Sequence, residues 1–68
     1  MRRNRIRELR EAKGWSQEKL ARQSDLSLNA LRMIENGETG NPGLYNAFRI
    51  ARALGTDVGE VFPEEVPA

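Results

Sequence analysis

Within the run Ser27 to Asn36, the side chains of Leu28, Asn29, Arg32 and Met33 stand at spacings of one, four and five. At 3.6 residues per turn such spacings put all four on one helix face, about 1.5 turns long. The chemistry this face offers is recognition. Arg32 presents a rigid fork of donors that matches the two major-groove acceptors of guanine. Asn29 can make the bidentate contact that adenine accepts, and Leu28 can cover a thymine methyl. Leu28 and Met33 together also form an apolar patch, so the same face can equally dock another protein. Polar groups lie on either side. Ser27 and Asn36 bracket the run, and Thr39, Gly40 and Asn41 offer hydroxyl, bare backbone and amide of the kind that bonds phosphate oxygens. Glu38 beside them would repel a phosphate.

Bond-making chemistry finds little support. The 68 residues contain no histidine and no cysteine, which removes the commonest general base and the thiolate ligands and nucleophiles. Gly37, Gly40 and Gly43 are spaced as loop punctuation, without the pattern of a phosphate-cradling loop. No cofactor, no metal and no enzymatic activity are therefore expected. The apolar stretches are short and broken by charge, and the arginine-rich start lacks an apolar h-region, so we expect a cytoplasmic protein without a membrane segment or signal peptide.

The net charge of +1 conceals an asymmetry. From Met1 to Ile34 there are nine Lys/Arg and four Asp/Glu, giving +5; from Glu35 to Ala68 there are two and six, giving −4. A basic half followed by an acidic half suits one face turned to a polyanion and another turned away.

What must position the candidate face is a set of short helices. Ile6 and Leu9 are spaced for a first helix from about Asn4 to Lys13, ended by Gly14. Lys13 can add its stem to the same side. Ser16 is a good cap for a second helix, with Glu18 in its first turn and Leu20 and Ala21 facing inward. Ser24-Asp25-Leu26-Ser27 is a tight turn: Asp25 tolerates the left-handed conformation, Leu26 plugs the angle, and Ser27 caps the third helix. Ala30, Leu31 and Ile34 face inward from that helix, and Gly37 stops it. Two short helices joined in this way make the usual DNA-reading unit.

Further along, Pro42 suits a helix's first turn with Asn41 as its cap. Leu44, Ala47, Phe48, Ala51 and Leu54 mark an amphipathic fourth helix to Gly55, with Ile50 beside the main stripe. Asp57 and Glu60 have capping-box spacing at the start of a short fifth helix with Val58, Val61 and Phe62 on its apolar face, and Pro63 ends it. One all-α domain follows, with a core of about 5–62, a basic arm 1–4 and an acidic tail 63–68. The arm arginines can meet phosphates or simply solubilise the terminus.

Read together, Leu9-Arg10, Trp15-Ser16-Gln17-Glu18, Leu20-Ala21, Leu26-Ser27, Leu31, Ile34-Glu35-Asn36-Gly37, Pro42 and Ala51-Arg52-Ala53-Leu54-Gly55 resemble the phage repressor and Cro type of helix-turn-helix domain, the XRE family. The resemblance implies five helices on one small core and a non-enzymatic regulator, bacterial or phage, that binds operator DNA as a dimer. It implies that Arg10 pairs with Glu35 as a structural ion pair pinning the first helix to the third. It also implies that Gln17 contacts the DNA backbone and steadies the recognition helix. Leu28 and Met33 depart from the family's commoner polar base readers. The segment 38–41 is also one residue longer than the family's loop.

Double-stranded DNA is thus the expected partner, read by Leu28, Asn29, Arg32 and Met33, with Gln17, Ser27, Asn36, Thr39 and Asn41 toward the backbone. A homodimer is expected through Val58, Val61 and Phe62, although the same residues can instead close the monomer's own core. The alternative function is an antitoxin or adaptor module whose helix-turn-helix fold mainly binds another protein.

Overall fold

A computed structural model describes residues 4–38 and 43–63 of the chain. Among the described residues five helices follow in order: α1 (Ile6–Ala12), α2 (Gln17–Gln23), α3 (Leu28–Glu35), α4 (Leu44–Leu54) and α5 (Val58–Val61). The described residues hold no strand. Thr39 and Asn41, expected at phosphates, and the basic arm up to residue 3 lie outside the described residues, as does the tail from residue 64.

The helix-turn-helix is built by local chemistry. Ser16 Oγ accepts from Lys19 N at 3.0 Å and opens α2, and Ser27 Oγ accepts from Ala30 N at 3.1 Å and opens α3. Each bond satisfies one of the free N–H groups at a helix start. Between them Asp25 takes φ 58°, and the Leu26 N–H bonds the Ala21 carbonyl at 2.9 Å. That reversal turns the chain so that Leu26 packs against the core. Gly37 closes α3 at φ 75°: its N–H bonds Ile34 O, and the next N–H, from Glu38, bonds Met33 O. Two carbonyls that the helix leaves orphaned are thereby satisfied, in a conformation costly for any residue with a Cβ.

The core joins Ile6 of α1, Leu20 and Ala21 of α2, Leu31 and Ile34 of α3, Ala47, Ile50, Ala51 and Leu54 of α4, and Val61 and Phe62 at the end of α5. Leu9, Trp15, Leu26, Ala53 and Val58 pack on its margin. Lys13 contributes nothing to this core; it is exposed and its ammonium lies 5.0 Å from the centre of the Trp15 ring.

Three expectations are corrected here. Helix α1 begins at Ile6 and not at Asn4: Arg5 holds the cap position without a side-chain bond, and Asn4, just outside, accepts from Ile6 N through Oδ1 at 3.1 Å. Helix α4 begins at Leu44 with Gly43 at its cap position, later than expected; Asn41 and Pro42, expected as its cap and first turn, lie outside the described residues. The inward stripe of α4 is also rotated. Residues 44, 47, 48, 51 and residues 47, 50, 51, 54 both follow the i, i+3, i+4, i+7 rule, and the fold buries the second set. Leu44 and Phe48 are left outside.

The fifth helix closes the molecule. Asp57 Oδ1 accepts from Glu60 N at 2.9 Å, which is half of the capping box. The other half is diverted: the Glu60 carboxylate receives Arg5 Nη1 at 2.7 Å. Beside it the Arg5 N–H donates to Val61 O at 2.8 Å, tying the start of α1 to the end of α5.

Val61 and Phe62 are 0% and 1% exposed inside this single chain. The expectation that they meet a second subunit is therefore corrected. An apolar side of a four-residue helix has to be covered, and the monomer covers it itself. Val58 remains at the margin, half-buried.

Candidate nucleic-acid interface

Helix α3 turns Leu31 and Ile34 into the core and leaves Asn29, Arg32 and Met33 on the outside. Met33 is 37% exposed, whereas Leu28 is half-buried and only partly available. The outward face is therefore mostly polar, with Met33 as its open apolar member. Asn29 Nδ2 leans toward Met33 Sδ at 3.8 Å, a weak contact that a better acceptor displaces at little cost.

Arg32 is held by its neighbour across the helix-turn-helix. Its Nε donates to Gln17 Oε1 at 3.3 Å, and the Gln17 amide in turn donates to Glu35 Oε2 at 3.2 Å. Glu35 is anchored by Arg10, whose Nε and Nη2 reach the two carboxylate oxygens at 3.1 and 2.9 Å. The third donor of Arg10, Nη1, bonds the Trp15 carbonyl at 2.9 Å. This is a two-pronged pairing between side chains only 11% and 5% exposed, so solvent screens it little. The hydrogen bond to Glu35 holds the Arg10 guanidinium above its usual range, outweighing the opposing effect of burial.

The series Arg10, Glu35, Gln17, Arg32 thus runs from the interior of the fold to its surface. Each member fixes the orientation of the next. A freely rotating arginine loses much side-chain entropy on binding, and a tethered one loses less.

The remaining candidates are distributed around this face. Ser27 caps α3 through its side chain, leaving the N–H groups of the first turn close by. Asn36 Nδ2 bonds Glu38 Oε2 at 3.1 Å, so a phosphate at Asn36 would have to compete with a carboxylate. Trp15 is partly buried and faces the ammonium groups of Lys13 and Lys19 at 5.0 and 5.8 Å, an arrangement of packing and cation–π contact. No group of three or more His, Cys, Asp or Glu suited to a metal occurs among the described residues. No described helix is long and apolar enough to cross a membrane.

Sequence reasoning overlooked Asn4. Besides accepting from Ile6 N, its amide donates through Nδ2 to Ile34 O at 3.0 Å and lies 3.4 Å from Glu35 O, so one side chain holds the start of α1 and the end of α3. The signal for half of this was present: an asparagine just before an apolar periodicity can accept from the first free N–H groups of a helix. Nothing local could announce the other half, whose partner stands 30 residues away.

A family model described as helix-turn-helix matches residues 6–61 of the 68. No curated protein and no solved structure gives a significant match.

Proposed function

Because this chain belongs to the helix-turn-helix family of the repressor and Cro type, whose members are DNA-binding transcription regulators, we propose that it reads a twofold-symmetric operator by laying α3 in the major groove. One observation supports the reading above the others: Arg32 is exposed and held by Gln17, itself anchored to the buried Arg10–Glu35 pair. Arg32 is the principal reader, placed to give a bidentate contact to guanine, and Asn29 is the second, to adenine. Met33 supplies apolar contact to a thymine methyl, and Leu28 assists from its half-buried position. Gln17 and Ser27, at the starts of α2 and α3, serve phosphates, joined by Asn36 and by Thr39 and Asn41 of the following segment. On this reading the protein works in the cytoplasm of a bacterium or in a phage circuit, without catalysis or cofactor.

The family match does not favour a module that mainly binds another protein.

Selection of random duplex DNA on the purified protein tests the proposal, followed by Arg32→Ala. A base reader loses about 1–3 kcal/mol on the selected site and relaxes the preference at one base pair. A phosphate clamp would instead weaken every sequence alike and lower the salt slope by about one. No enriched sequence, or an Arg32→Ala variant with unchanged preference and salt slope, would remove α3 from the groove.

A further inference from the structure

Where α2 ends against α4, the surface opens into a cleft of about 450 Å³. Gln23, Ser24 and Asp25 line it from the end of α2 and the turn, and Arg49, Arg52 and Ala53 from α4. None of the candidate readers Asn29, Arg32 and Met33 belongs to it. A volume of this size suits a small molecule.

Ser24 is the anomaly in its wall. The residue is 2% exposed, and its Oγ is the buried side-chain polar atom that makes no hydrogen bond among the described residues. A buried hydroxyl left unpaired destabilises a fold, and alanine in the same place would carry no such penalty. Helix ending does not need it either: the Ser24 N–H bonds Leu20 O through the backbone alone. The hydroxyl is therefore a donor and acceptor without a use inside the chain.

The charges around it are also uncompensated. Arg49 and Arg52 stand three apart on α4, so two like charges share one helix face at some cost. Neither forms an ion pair among the described residues, although Asp25 lines the same cleft. Arg49 instead donates through Nη1 to the Asp25 carbonyl at 3.5 Å and lies over the Tyr45 ring at 5.2 Å. These contacts orient its guanidinium without neutralising it.

We propose that this cleft binds one phosphoryl group carried by a small molecule, held between the Arg49 and Arg52 guanidinium groups and bonded by the Ser24 hydroxyl. Phosphate matches this donor set better than a carboxylate does. An arginine fork takes two of its oxygens at once, and a further oxygen remains for the hydroxyl. Asp25 limits what else the ligand carries: its carboxylate repels added negative charge and favours a monoester whose remainder is neutral or bears an amine. The DNA backbone carries the same phosphoryl chemistry, so the test separates the two carriers. The inference stands apart from the reading of DNA by α3.

The test is amide NMR of the full chain titrated with sodium phosphate at constant ionic strength. Wild-type protein should show saturable shifts at Ser24, Asp25 and Arg52 in the millimolar range. Arg49→Gln and Arg52→Gln should each weaken phosphate binding about tenfold, and Ser24→Ala about fivefold without lowering the thermal midpoint. Arg22→Gln, exposed on α2 and outside the cleft, should leave binding unchanged. Equal losses in Arg22→Gln and Arg52→Gln would reduce the effect to surface charge and overturn the inference. So would a Ser24→Ala with wild-type phosphate affinity, or a wild type without saturable shifts. Duplex DNA in phosphate-free buffer then identifies the carrier. With a small-molecule carrier, Arg52→Gln keeps wild-type affinity for the duplex, and the DNA-bound protein still responds to phosphate. If Arg52→Gln weakens every duplex alike, lowers the salt slope by about one and DNA abolishes the phosphate response, the carrier is DNA and the small-molecule site falls. Arg32→Ala should keep the phosphate titration whatever it does to DNA binding, so failure of the cleft and failure of α3 as reader are told apart.

Discussion

Arg10→Met keeps most of the length and apolar stem of the side chain while deleting the guanidinium that Glu35 depends on. In the wild type the Glu35 carboxylate receives two bonds from Arg10 and one from Gln17, and its side chain is 5% exposed. After the substitution only the Gln17 amide remains beside a nearly buried charge. Breaking such a pair from one side costs about 3–5 kcal/mol. A chain of this length has a total stability of about 3–10 kcal/mol, so the single variant stands close to unfolding. The midpoint of thermal unfolding should drop by about 12 °C at the least, at about 4–8 °C per kcal/mol for domains of this size. Replacing both partners, Arg10→Met with Glu35→Leu, removes the stranded charge and should recover about 2 kcal/mol of the loss. Recovery is incomplete because the Trp15 carbonyl still loses its donor, a residual cost of about 1–3 kcal/mol. Urea titrations of the two single variants and the double variant, read as a mutant cycle, measure the coupling. A single variant costing less than about 0.5 kcal/mol, or a double variant costing the sum of the singles, would refute the idea that this pair clasps α1 to α3.

Three further outcomes are expected. Phe62→Ala should cost about 3–5 kcal/mol by opening a cavity in the core, seen as loss of the folded monomer and not as a change in self-association. Asp25→Gly should stabilise by up to about 1 kcal/mol in urea titration, since glycine adopts φ 58° without a Cβ clash and the Asp25 carbonyl keeps its contact to Arg49; a loss of stability would refute this. The third concerns acid. Arg5 holds the Glu8 carboxyl below its ordinary 4.5, by hydrogen bond and charge. A depressed folded pKa means stability that is present above the unfolded value and lost as pH falls through the folded one. Glu8→Gln should make the fall in urea midpoint below about pH 4.5 shallower, by a small amount because the pair is exposed to solvent.

Legibility in the sequence followed the range of the forces involved. Ser16, Asp25, Ser27 and Gly37 act on backbone within four residues, so caps, reversal and stop were readable where they occur. Leu20, Leu31 and Ile34 had only one helical phase open to them and are buried as read. Helix α4 had two, because its apolar residues satisfy overlapping stripes, and only packing against the other helices decides between them. Val61 and Phe62 posed a similar ambiguity: a short apolar helix states that it must be covered without stating by what. On the candidate face, the outward position of Asn29, Arg32 and Met33 followed from periodicity, while the half-burial of Leu28 and the tether on Arg32 depend on residues from other elements.

The bonds that Arg5 makes near the far end of the chain join the first described helix to the last. Arg5 meets Glu60 across a separation of 55 residues, and its backbone meets Val61. Helix α1 precedes α5 in synthesis, so Arg5 meets Glu60 and Val61 only after α5 has emerged, while Asn4 reaches Ile34 of α3 before that. The helix-turn-helix and its Arg10–Glu35 clasp can form meanwhile from residues up to Glu35. Joining chain segments so far apart costs about 3.5 kcal/mol of loop entropy, a toll met once, by whichever pairing comes first. After that, Asn4 on Ile34, Arg10 on Glu35 and Arg5 on Glu60 close across nearly the same seam. The last of the described helices, four residues long, thereby adds the final stitch to a seam that Asn4 and Arg10 already draw onto the reading helix.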